Sequence, residues 1–86
     1  MQKVTEIKEE VSVELNEACG GIDSKERVAF ALAKVTEYQL STKPESRLKC
    51  YVYIMSALAQ HERQPCLKDS EVSQLFDLSL LILKNC

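Results

Sequence analysis

Eighty-six residues hold only two glycines and two prolines, and these interrupt the chain at three places: Gly20–Gly21, Pro44 and Pro65. A β-sandwich or barrel needs a turn about every 8–12 residues, usually built on such residues. Three breaks leave four long segments instead, and long unbroken segments are the mark of helices. The chain is also short enough that it buries only about 60–65% of its unfolded surface, so a fold of this size gains from a partner chain.

The first segment, about residues 4–19, carries Val4, Ile7, Val11, Leu15 and Ala18 at helical spacing and ends at the glycine pair, a residue type suited to a helix C-cap. "VSVEL" alternates like a strand, but Lys8, Glu9 and Glu10 favour helix. The second, about 24–40, opens on "DSKE", where Asp23 is placed to cap the helix while Glu26 reaches back. Val28, Ala31, Leu32, Val35 and Tyr38 or Gln39 then line one face, widened by Ala29, Phe30 and Ala33.

The third segment, about 43–63, opens on "TKPE". Thr42 is expected to cap, Pro44 to sit in the first turn and Glu45 to complete the box. It contains "LKCYVYIMSALAQHERQPC", the longest mostly apolar run. Roughly ten apolar residues, Cys50 to Ala59 with Ser56 among them, fall short of the 18 or so needed to span a membrane. Leu48, Tyr51, Val52, Met55, Leu58 and Ala59 form one row, and Cys50, Ile54, Ala57 and His61 form its neighbour. Two adjacent apolar rows predict a helix packed on more than one side, at the centre of a bundle. The fourth segment, about 69–84, is capped by Asp69 or Ser70. Val72, Leu75, Phe76 and Ser79 share a face with Leu83, while "LSLLIL" is apolar almost all round.

That surplus of apolar positions predicts association, because exposed apolar patches commonly mark contact surfaces. The expected contact residues are Leu75, Leu78, Leu81 and Ile82. Tyr51 and Tyr53 point to different faces of one helix, so at most one is core; Tyr53 is assigned to the interface, where tyrosine is enriched. The fold class expected is all-α, a single domain built as a small bundle of three to four helices and completed by dimerisation.

Charge narrows the function. The net charge is −2, with residues 1–19 and 69–86 acidic and residues 41–68 basic. An acidic chain is a poor general binder of nucleic acid, whose affinity rests on phosphate contacts. Lys43, Arg47 and Lys49 are the one candidate anion or nucleic-acid patch, set against the plainer reading of a solvated helix start. The paired carboxylates Glu9 with Glu10, and Glu14 with Glu17, read as a solvated helix face.

Four cysteines, Cys19, Cys50, Cys66 and Cys86, lack close pairing, and one histidine accompanies them. A structural zinc site needs two close ligand pairs, so no metal is expected. Cys50 and His61 share a face but stand about 16 Å apart along a helix, beyond the reach of a catalytic dyad. Cys66, after Pro65, is placed to fold back on His61, but no glycine-rich oxyanion loop lies near. His61 is expected at the helix end, favoured by the dipole. Cys86 lacks the three following residues of a prenylation box and is expected as an exposed thiol. No enzyme, catalytic residue or cofactor is predicted. Without the apolar stretch of a signal peptide near the N-terminus, the cytoplasm and reduced thiols are expected.

The stretches "ERVAFALAKVTEYQL", "RLKCYVYIMSALAQHE" and "LFDLSLLIL" together resemble, in helix length and apolar spacing, the small enterobacterial biofilm and acid-resistance regulator proteins. The linker "RQPCLKDSE" is longer than that family's. The resemblance implies a homodimeric cytoplasmic connector that acts on a signalling regulator through protein contacts, and it carries over no functional residue. The leading expectation is therefore a non-enzymatic homodimeric regulator or adaptor. The alternatives are a secretion chaperone or phage-type inhibitor that holds a partner's helix, and a small DNA-binding regulator.

Overall fold

The computed structural model describes residues 2–19 and 24–84, with side chains described for residues 5–17 and 25–84. The glycine pair, the Asp23 cap, the side chains of Val4, Ala18 and Cys19, and Cys86 lie outside the described residues. Four helices run α1 (Gln2–Cys19), α2 (Ser24–Tyr38), α3 (Pro44–Arg63) and α4 (Asp69–Lys84). There is no strand among the described residues.

α3 touches each of the other three helices. α1 also touches α2, whereas α4 packs its backbone closely against α3 alone. The helices occupy a volume of 30 × 28 × 20 Å. α1 lies parallel to α3, with Glu10 beside Lys49 and Glu14 beside Tyr53. α2 runs antiparallel to α3, so that Phe30 meets Tyr53 while Tyr38 meets Lys49.

Each helix buries one stripe. α1 contributes Ile7, Val11 and Leu15, and α2 contributes Val28, Ala31 and Val35. Ala29 and Ala33 face water, so the apolar face of α2 is narrower than its sequence suggests. In α3 the deepest row is Cys50, Ile54 and Ala57, joined by Tyr53. The row through Leu48, Tyr51 and Met55 is only half-buried, and Ala59 is exposed.

Helix ends depart from expectation for definable reasons. α2 stops at Tyr38, where Ser41 N–H turns back to the Tyr38 carbonyl at 3.0 Å and leaves Leu40 in water. Thr42 does not cap α3. A residue before proline is forced into extended backbone, and Lys43, at φ −78° and ψ 131°, takes the cap position with no side-chain acceptor to offer. Pro44 offsets this at the first helical position, where its missing N–H is one donor fewer to satisfy. Neither Asp69 nor Ser70 caps α4, since both lie inside the helix. Glu71 instead accepts the Lys68 N–H at 3.0 Å, the return half of a capping box.

Candidate protein-interaction surface

α4 carries two apolar stripes with the same spacing, one residue out of phase. Leu75, Ser79 and Ile82 form the first and are buried. Phe76, Leu80 and Leu83 form the second and are 52%, 63% and 53% exposed. One residue along a helix is a rotation of about 100°, so burying the first stripe turns the second out to water. Ser79 makes this choice possible. Its hydroxyl donates to the Phe76 carbonyl at 2.7 Å, so a buried polar group is satisfied and its small volume faces the core. Of the six large hydrophobic side chains exposed among the described residues, four belong to α4.

The contact residues expected from sequence divide accordingly. Leu75 and Ile82 are core and unavailable to a partner. Leu78 is half-buried, and Leu81 is exposed. Tyr53 is not at a surface: it is fully buried, edge-on to Phe30 with ring centres 6.1 Å apart and stacked on Tyr38 at 6.2 Å. Its hydroxyl donates to the Glu14 carboxylate, and burial followed by that bond pushes its ionisation well above the ordinary tyrosine range. The partner that lets a tyrosine be buried lies 39 positions away in sequence. Phe76, Leu80 and Leu83 were the residues to find. Their spacing signals a stripe, but sequence alone ranks them above a stripe centred on serine as the buried one.

Leu78 and Leu81 lie on another side of α4. A groove of about 400 Å³, bounded by Leu32, Val35, Leu75 and Leu78, runs between α2 and α4. A cleft of about 100 Å³ at Arg47, Cys50 and Leu81 adjoins it, sharing Gln39 and Leu78.

The three basic residues do not assemble into one patch. Lys43 is exposed. The Arg47 Nε donates to the Ser41 carbonyl at 3.4 Å. The Lys49 Nζ lies 3.2 Å from Glu10 and 4.0 Å from Glu14, and the hydrogen bond to Glu10 raises its pKa despite burial. Glu10 and Glu14 are therefore not simply a solvated face: they join α1 to α3. Such pairs are worth up to about 1 kcal/mol when partly exposed, and they neutralise the charge a phosphate contact would need.

The cysteine and histidine side chains form no site among the described residues. Cys50 is sealed in the core, its thiol donating to the Val35 carbonyl at 3.7 Å, and burial pushes its pKa up to about 11. That keeps it protonated near neutrality and unreactive. His61 does meet Cys66, but through the backbone. Its Nδ1 accepts the N–H groups of Cys66 and Leu67, each at 3.1 Å. The lone pair on Nδ1 serves both bonds, and His61 stands in the last turn of α3, as its sequence position predicts. No cluster of three or more metal-ligating side chains occurs among the described residues. No helix among them is long and apolar enough to cross a membrane.

The fold and this surface define a class: a helical chain whose last helix presents an unpartnered apolar stripe. Comparison with protein-family models, curated proteins and solved structures finds no match in any of the three.

Proposed function

We propose that the chain is a non-enzymatic protein–protein interaction module, a homodimeric cytoplasmic regulator or adaptor that works by presenting or covering the outer face of α4. One observation carries this reading: Phe76, Leu80 and Leu83 form a continuous stripe, each more than half exposed, on a helix held by one neighbour. Contiguous apolar surface costs free energy in water, and in small proteins it marks places where another chain binds. The role of connector implied by the family resemblance suits such a surface.

The test is the solution mass by light scattering across a range of concentrations, with reductant present. The expected result is a dimer that Leu80→Glu dissociates without loss of helicity, since Leu80 takes no part in the core. A monomer at every concentration refutes the homodimer. Charges at Leu78 or Ile82 make a poorer test, because Ile82 is buried and its replacement would unfold α4.

The groove between α2 and α4 favours a second reading, in which the chain holds a partner's amphipathic helix as a chaperone or inhibitor would. That reading expects a monomer that gains thermal stability when the partner helix is added. The nucleic-acid reading has lost Lys49 to Glu10 and has no comparable support.

A further inference from the structure

We infer that the occupant of the α4 stripe is a second copy of α4, lying antiparallel about a two-fold axis at Leu80; this rests on the reading of the chain as self-associating. The argument is one of register and charge. Within α4, only two charged residues flank the exposed stripe along its length, Asp77 beside Phe76 and Lys84 beside Leu83. Both are exposed, and neither forms an ion pair among the described residues. They lie on the same side of the stripe, seven residues apart, close to two full helical turns.

A two-fold axis through Leu80 sets each Leu80 against its copy and each Phe76 against Leu83 of the second chain. The same operation carries position 84 of one copy to the level of position 77 of the other. It also keeps both on one flank, because rotation about an axis normal to the helix pair leaves front as front. Asp77 therefore meets Lys84 of the second copy, and the pair forms twice. In a parallel pairing this flank of one helix faces the opposite side of the other, where Leu75 and Ser79 are turned into the core and carry no charge, so no such pair forms. Antiparallel placement also sets the helix dipoles head to tail. The apolar stripe supplies the attraction, and the two charges select its direction and register.

The experiment is a charge-reversal cycle on the full chain, with the dimer dissociation constant measured by sedimentation at low salt and helicity and melting followed in parallel. Asp77→Lys and Lys84→Asp should each weaken the dimer roughly 4- to 30-fold, as two modest attractions become two repulsions. The double variant D77K/K84D should recover most of that loss, and the effects should shrink in high salt. Leu80→Glu should abolish the dimer by itself. Recovery in the double variant with loss in L80E supports the arrangement. A wild-type dimer that L80E dissociates, but in which the single reversals have no effect or the double variant fails to recover, overturns the antiparallel register and leaves self-association standing. A dimer that survives L80E removes the stripe as its seat. A wild-type monomer overturns the underlying reading as well.

Discussion

Raising the pH should destabilise the protein through one buried thiol. Cys50 is completely inaccessible, and burial lifts its pKa from an ordinary 9.0 to about 11. The folded chain thus keeps a proton that the unfolded chain releases. A raised folded-state pKa gives a contribution that is whole below the unfolded value and is lost as pH climbs toward the folded one. Between pH 7 and pH 10 the loss amounts to about 1.4 kcal/mol, and it approaches about 2.7 kcal/mol once both states have ionised. A domain of this size has about 4–13 kcal/mol in total, so the decline is measurable. The variant to compare is Cys50→Ala, which should cost about 1 kcal/mol at neutral pH for lost packing but should lack the thiol's pH dependence. Urea melts followed by helical circular dichroism at pH 7, 8, 9 and 10, at one protein concentration and with reductant, give the difference between the two chains. That difference should fall by about 1.4 kcal/mol from pH 7 to pH 10. Tyr53 and Lys49, both also raised, add losses of the same sign only above about pH 10. Parallel curves for the two chains would refute the sealed thiol and with it the placement of α2 over Cys50.

Two further outcomes test the inner construction. Tyr53→Phe keeps the ring between Phe30 and Tyr38 but removes the donor to Glu14; it should cost about 1–2 kcal/mol in chemical denaturation, less than a fully buried charged bond because Glu14 is partly hydrated. An unchanged midpoint would mean that the bond between α1 and α3 contributes nothing. His61→Ala orphans the Cys66 and Leu67 N–H groups and should cost about 1–2 kcal/mol and speed amide exchange at those two positions, whereas exchange as slow as in wild type would exclude the acceptor role.

The sequence-level pattern locates helices well where it rests on local rules. Pro44 and Pro65 delimit α3, and the rows spaced by three and four residues contain the buried positions. Local reasoning fails where a distant partner decides. Nothing within reach of Tyr53 along the chain announces Glu14, and nothing near Lys49 announces Glu10, so local pattern puts the first at a surface and the second in an anion patch. The caps show a subtler failure. Proline shifts the start of α3 by its own steric demand, which outranks the propensity of Thr42. At α4 the signal was Glu71, three residues inside the helix, and not the Asp69 or Ser70 that stand at its start.

The choice between the two stripes of α4 is where fold and function meet. Ranked by hydrophobicity alone, Phe76, Leu80 and Leu83 belong in the core, and a helix so turned would show water a serine between Leu75 and Ile82. The observed rotation does the reverse. It admits a hydroxyl to the core, satisfied within its own helix, and leaves three large apolar side chains outside. A lone chain has little to gain from this, because each of these leucines, more than half exposed, forgoes about half or more of the roughly 1.5–3 kcal/mol that full burial gives. On the proposed association, a second chain over the stripe would return that burial and make the rotation of α4 favourable. On this argument Ser79 matters as much as any residue at the contact itself. By filling the inner stripe with a small, self-satisfied side chain, it lets α4 settle on α3 through Leu75 and Ile82 and turns Leu80 outward, where the proposed second chain would meet it.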